Sequence, residues 1–272
     1  MHSLHSFLNH SFQKVFKEYQ QQLEIEKLLA INDAMEASQQ AMHENAEQML
    51  RLHKQLTDSL QYAQRMQKAI LPSEERMKGI FEDFFVIYQP KDIVSGDFFW
   101  CSRLDYTFVA VVDCTGHGVP GAFMSMIGYT LLKQIIVEKR MAYPPDILEQ
   151  LDSEVVAALR QRDTHNRDGM DVCLCRFERQ GDTVKLSFAG AKRPLYVCQE
   201  AQWQELPATR RHIGGMQVLY QVPFEMHELY LQKGDKMLCA TDGLTDISNN
   251  SREKFWKVAA SKSFSKSIQI LP

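Results

Sequence analysis

Phe108-Val109-Ala110-Val111-Val112-Asp113-Cys114-Thr115-Gly116-His117-Gly118-Val119-Pro120-Gly121-Ala122-Phe123-Met124-Ser125-Met126-Ile127 spells a strand, a turn and the start of a helix. The apolar run ending at Val112 predicts a strand, and Gly116 and Gly118 predict a tight turn. Pro120 suits the first turn of a helix, which the apolar residues extend to Leu132 and Ile136. Asp113 lies at the junction, so stiff backbone holds its carboxylate at the rim of a sheet. Two more aspartates share that setting: Asp97 in Ser95-Gly96-Asp97-Phe98-Phe99, and Asp242 in Thr241-Asp242-Gly243 after the run Lys236-Met237-Leu238-Cys239-Ala240. Rigid carboxylates without soft ligands suit hard divalent ions such as Mg²⁺ or Mn²⁺.

Outward from this stretch the pattern is short apolar runs broken by turns. Strands are predicted at 84–88 and 98–100 before it. A second helix should start at Pro144-Pro145-Asp146, with Ile147, Leu148, Leu151 and Val155 at helical spacing. Strands return at 171–177, 184–188, 194–197, 224–231 and 236–240, and 252–260 reads as a short helix. Strands, two helices, then many strands predict an antiparallel α+β architecture rather than a parallel doubly wound sheet.

The first quarter of the chain has another period. Residues 12–71 hold no Gly and no Pro and are rich in helix formers. Leu28, Met35, Met42, Met49, Leu56, Ala63 and Ile70 recur every seventh residue, with Ile31, Leu52 and Met66 at the matching d positions. This predicts a long helix with a coiled-coil seam, ended by Pro72. Ser38, Asn45 and Ser59 also fall at d, and methionine replaces branched residues at a, so the seam is weak and able to repack. A passive spacer and a dimerising signalling helix are both compatible with it.

The 272 residues suffice for one sizeable core plus an extension, and the net charge of −3 gives no electrostatic case for nucleic acid. No apolar run approaches the ~20 residues of a membrane span, and the polar start lacks a signal-peptide core. The six cysteines are scattered through apolar strand patterns, and the pair Cys173 and Cys175 has no second pair downstream. They read as reduced core residues of a cytoplasmic protein.

The motifs also have an order. Ser95-Gly96-Asp97-Phe98-Phe99 and the Asp113 stretch are followed by Asp168-Gly169-Met170-Asp171-Val172, then by Phe188-Ala189-Gly190-Ala191-Lys192-Arg193-Pro194-Leu195-Tyr196. Ile213-Gly214-Gly215 and Ala240-Thr241-Asp242-Gly243-Leu244-Thr245-Asp246 complete the set. From about residue 70 to 260 the chain resembles the SpoIIE/RsbU-type branch of the PP2C (PPM) serine/threonine phosphatases. The helix ending in Ala69-Ile70-Leu71-Pro72 resembles the linker joining such phosphatases to upstream sensor domains.

That resemblance implies a PP2C-like sandwich of two antiparallel sheets flanked by helices, as residues 73–272, behind a helical linker of residues 1–72. It implies two divalent cations, Mn²⁺ or Mg²⁺, bridged by Asp113. The backbone carbonyl of Cys114 and the carboxylate of Asp97 would serve one ion, and Asp242 the other. A water between the ions would attack the phosphate, so no nucleophilic Ser or Cys is needed. His117 is a candidate general acid, although the eukaryotic relatives carry their histidine where Thr115 stands. Lys192 and Arg193 are candidates for substrate phosphate, and Asp171, opening an otherwise apolar strand, should have a partner. The implied substrate is a phosphoprotein, such as a STAS-domain anti-sigma-factor antagonist, and the implied assembly is a homodimer through the helix. The helix after Gly118 is expected to act as a switch, with the heptad helix packed near Phe123, Met126 and Ile127. The implied location is cytoplasmic, as part of a larger sensor protein. This branch ends in a strand bearing Asp-Asp, and no such motif follows Asp246. The expectation is therefore a phosphoprotein phosphatase regulated through the dimerising helix, in a chain that is a fragment or has lost its end and so lacks one carboxylate of the site; the alternative is a non-catalytic binding module.

Overall fold

A computed structural model describes residues 2–215, 222–245 and 269–270. The chain divides into two compact units, residues 1–59 and 60–272. Helix α1 runs without a break over His2–Ile70, so the first unit is helix throughout and the last turns belong to the second. The absence of Gly and Pro explains the unbroken run, and Pro72 the stop. Within the first unit the seam residues are bare: Met42 and Met49 keep 69% and 68% of their surface, and Leu28, Ile31, Met35, Leu52 and Leu56 are also exposed. The helix therefore offers an apolar stripe that its own unit does not cover.

In the second unit α2 (Glu74–Lys78) starts at Ser73, whose Oγ accepts the Arg76 N–H at 3.3 Å. There follow β1 (Phe81–Asp83), β2 (Phe98–Arg103), β3 (Thr107–Cys114) and α3 (Gly118–Leu132), which continues as a π-helical turn over Lys133–Glu138. Next come α4 (Pro144–Ala158), β4 (Gly169–Gln180), β5 (Thr183–Ala191), β6 (Leu195–Gln199), β7 (Gln202–Leu206) and β8 (Ile213–Gly214). The series closes with β9 (Met226–Leu231), β10 (Lys236–Cys239), α5 (Asp242–Thr245) and β11 (Gln269–Ile270).

The main sheet has the order β2-β3-β4-β5-β9, with β8 beside the start of β4, and all its pairings are antiparallel. A second antiparallel sheet has the order β10-β6-β7, and β1 pairs with β11. Strand alternation sorts the side chains into two cores. Phe98, Trp100, Ala110, Val112, Val172 and Leu174 meet α3 and α4 through Met124, Leu132, Leu148 and Leu151. Cys101, Val109, Cys173, Cys175 and Phe177 face the other way, to Leu195, Val197 and Met237 of the second sheet. This is the expected α+β sandwich.

Two local readings differ. Residues 84–88 form no ladder; the strand lies just before them, at Phe81–Asp83. Val86 and Ile87 are exposed, and among the described residues no strand pairs with them, so β propensity has no partner to act through. Strand β7 carries too polar a sequence, Gln-Trp-Gln-Glu-Leu, to be read in advance. The expected helix at 252–260 lies outside the described residues.

One buried ion pair ties α4 to the segment before β8. Arg211 donates to Asp152 Oδ2 and Glu149 Oε1, both at 2.8 Å, and lies over the Phe224 ring at 4.4 Å. Asp152 Oδ1 accepts the Gly214 N–H at 2.6 Å. Removing one member of such a pair costs about 3–5 kcal/mol, because the other stays buried. Asp152→Ala should lower stability by roughly 3 kcal/mol in urea unfolding; a loss under about 1 kcal/mol would show the pair to be dispensable.

Candidate active site

The register of the main sheet places acids side by side. Asp113 of β3 stands directly opposite Asp171 of β4. Asp97 lies one step beyond the Phe98–Val112 pair of β2 and β3, so it continues the same row. Its carboxyl lies within hydrogen-bonding reach of Asp113. All three are odd-numbered positions on the face toward the second sheet. From that sheet β10 leads into Asp242, the first residue of α5, whose N–H approaches Asp113 Oδ2 at 3.5 Å. Four carboxylates from four chain segments thus converge on one edge.

Glycines allow this convergence. A Cβ on Gly96 would lie 2.8 Å from the Gly116 carbonyl oxygen and 3.1 Å from that of Cys114. A Cβ on Gly121 would lie 2.6 Å from the Gly116 oxygen. The loops carrying Asp97 and Asp113 and the first turn of α3 therefore pack backbone to backbone. Thr115 fixes the Asp113 loop to β4: its N–H donates to the Gly169 carbonyl at 2.9 Å, and its Oγ1 accepts the Gly169 N–H at 2.9 Å.

Arg193 is the cation at the centre. Its Nη2 donates to Asp113 Oδ2 at 2.5 Å and to Asp242 Oδ2 at 3.0 Å, and lies 3.5 Å from Asp171 Oδ2. One guanidinium does not balance the acids. Burial, and then the negative charge of Asp97, push Asp113 up to about 7 despite Arg193. Burial likewise raises Asp171, with Arg193 opposing. An acidic cluster of oxygen donors with uncompensated negative charge is the donor set that hard divalent cations fit.

A sequence profile of the family described as Stage II sporulation protein E (SpoIIE) matches residues 104–269. The chain belongs to the SpoIIE family. The SiaA-PP2C domain of Pseudomonas aeruginosa is 33% identical with a TM-score of 0.64, the match covering 75% of this chain and 78% of that one. The RsbU and RsbW domains of Rv1364c from Mycobacterium tuberculosis are 23% identical with a TM-score of 0.47, covering 64% of this chain and 48% of that one. The PP2C phosphatase domain with a regulatory-domain fragment of SpoIIE from Bacillus subtilis is 20% identical, with a TM-score of 0.44 and coverage of 58% and 45%. No curated protein matches.

Against this SpoIIE frame the remaining sequence candidates separate. His117 is the residue before α3, and its Nδ1 lies 2.8 Å from Asp92 Oδ2 with most of the ring in solvent. Its described partner is thus Asp92, not Asp113. Lys192 is exposed in a left-handed conformation (φ 54°), which turns the chain so that Arg193 makes the ion pairs with the acids, while Lys192 acts on Asp171 through its charge. Asp171 has found its partners, Asp113 across the strand pair and Arg193.

Gln67 is the residue that sequence reading missed. It lies in the last turns of α1, inside the second unit, and only 3% of its surface is exposed. Its Oε1 accepts the Ser95 N–H at 3.0 Å; its Nε2 donates to the Ser95 carbonyl at 2.6 Å and to Ser125 Oγ of α3 at 2.7 Å. One amide therefore holds the backbone two residues before Asp97 and the helix after the Asp113 loop. No heptad rule marks it, since it lies beside the seam and not in it. Phe123 and Met126 stay exposed, and the end of α1 is joined to α3 by the Gln67–Ser125 bond. Gln67→Leu keeps the volume and removes all three bonds. Amide exchange over residues 94–98 should then speed up at least tenfold while the centre of β4 stays protected; unchanged protection there would remove Gln67 from the support of this loop.

Proposed function

We propose that the chain is a metal-dependent protein serine/threonine phosphatase, with the Asp97, Asp113, Asp171 and Asp242 edge as its centre. The observation that carries this is the row of cross-strand carboxylates whose charge a single arginine leaves uncompensated. Membership of the SpoIIE family supports divalent-metal dependence. The finer reading is two cations, Mn²⁺ or Mg²⁺, for which Asp113, Asp97, the Cys114 carbonyl and Asp242 would be the ligands. Such ions, when bound, acidify a shared water and clamp the phosphoryl oxygens during in-line displacement. Arg193 has the forked donor set that suits phosphate, and stands ready to exchange carboxylate for substrate oxygens. His117, paired with Asp92 at the start of α3, holds the turn and leaves the general acid unassigned. The substrate is a phosphoserine or phosphothreonine protein of the STAS-domain antagonist kind, acted on in the cytoplasm. Among the described residues no helix is long and apolar enough to cross a membrane.

Mn²⁺-dependent hydrolysis of an aryl phosphate by the full chain tests this. Asp113→Ala should lower turnover by roughly 100-fold or more, and undiminished turnover in that variant would end the metal reading. A second reading, a non-catalytic binding module, is favoured by the position of Arg193, which partly neutralises the acids from within. It predicts no turnover by the unaltered chain in the same assay.

The working division of the protein is a regulatory linker of residues 1–72 and a phosphatase domain of residues 73–272. The linker is proposed to pair with that of a second copy, because its a and d residues are bare over six turns and more. Sedimentation equilibrium should give a dimer mass that falls to the monomer in Met42→Glu/Met49→Glu. A monomer in the unaltered chain at tens of micromolar would refute the pairing.

A further inference from the structure

Cys173 and Cys175 lie on one face of β4, fully buried, and Cys239 ends β10 in the other sheet. Read in sequence, the C-x-C pair lacks companions; in the fold the third thiol comes to it across the sandwich. The three Sγ atoms all lie within 4.8 Å of one another. Three sulfurs around one ion with metal–sulfur bonds of about 2.3 Å lie about 4 Å apart, so small χ1 adjustments close the set on a cation. Two thiols would suffice for a disulfide, whereas three at mutual contact make a trigonal donor set. We propose that Cys173, Cys175 and Cys239 form a site for a thiophilic divalent d¹⁰ cation of the Zn²⁺ class, separate from the carboxylate edge.

Chemistry favours this ion class. Thiolates select soft or borderline ions over the Mg²⁺ or Mn²⁺ suited to the acids, so the two sites sort their metals by donor type. Three thiolates leave a divalent ion at one net negative charge and a monovalent copper ion at two. In the apolar surroundings of Val109, Phe177, Leu195 and Val197 the smaller buried charge is the cheaper one. Access comes from one side. Cys239 is only half-buried and lines a cavity of about 290 Å³ with Val109, Val111, Leu238 and Thr241. The ion would pin β10 to β4. Cys173 is two residues after Asp171 and Cys239 three before Asp242, so the thiol site fixes the spacing of the two sheets next to the acids.

The full-length chain, reduced and stripped of metal, can be titrated with Cd²⁺, whose ultraviolet thiolate-to-metal charge-transfer band ignores carboxylate ligands. The expected result is a band saturating at one Cd²⁺ per chain and lowered when Zn²⁺ competes in large excess, as the softer ion is favoured by thiolates. Cys239→Ala should weaken Cd²⁺ binding at least tenfold, while Cys198→Ala and Asp113→Asn leave the band unchanged. Should Cys239→Ala fail to fold, the near-isosteric Cys239→Ser replaces it. No saturable band in the unaltered chain, or one that neither Cys239 variant weakens, would overturn the proposal and leave three packed thiols.

Discussion

Two carboxylates facing each other across a strand pair are the constraint around which this molecule is arranged. Asp113 and Asp171 are in register on neighbouring strands, and Asp97 extends their row. Charges ~5 Å apart at an effective dielectric of 20 repel by about 3 kcal/mol per pair, enough to matter against the whole stability of a domain. Such a row persists only where its surroundings hold it and positive charge answers it. The holding is visible in the glycine contacts of the two loops and in the Thr115–Gly169 bonds. The answer is partial: Arg193 touches three of the acids, yet Asp113 remains raised to about 7, mainly by burial. The protein keeps a strained electrostatic edge that added cations would relieve.

The same alternation that builds the cores selects what lies beside that edge. On β3 and β4 even-numbered side chains go to the helices and odd-numbered ones to the second sheet. Asp113 and Asp171 are odd, and so are Val111, Cys173 and Cys175. The acids are thus the outermost members of the layer between the sheets. A one-residue slip of β4 against β3 would bury Asp171 under α3 and α4, so the apolar pattern of Val172 and Leu174 fixes the register that the site needs.

How much of this could be read in the chain depends on the range of the interaction. The Asp113 strand, turn and helix were legible because apolar run, glycines and proline all act within a few residues. So were the heptad helix and its stop at Pro72, and the order of motifs carried the family. Residues 84–88 were misread because strand formation needs a partner, and sequence shows propensity without pairing. Arg193 was expected to meet substrate phosphate, and its approach to three carboxylates depends on the left-handed turn at Lys192, which no local pattern announces. Cys239 looked like a core residue because its neighbours in space are 64 and 66 positions away in sequence.

Gln67 shows why a polar residue is buried in the last turns of α1, inside the second unit. An apolar side chain there would add packing energy but would tolerate rotation or a small slide of the helix, because dispersion contacts are nondirectional. An amide bonded to both backbone groups of Ser95 and to Ser125 is satisfied in one helix orientation only. Successive helix residues are about 100° apart, so a turn of the helix by even one position removes all three bonds and strands buried polar groups at about 1–3 kcal/mol each. That loss falls on Ser95, two residues from Asp97, and on α3, which follows the Asp113 loop. The orientation of the last turns of α1 and the spacing of the acids are therefore coupled by these three hydrogen bonds.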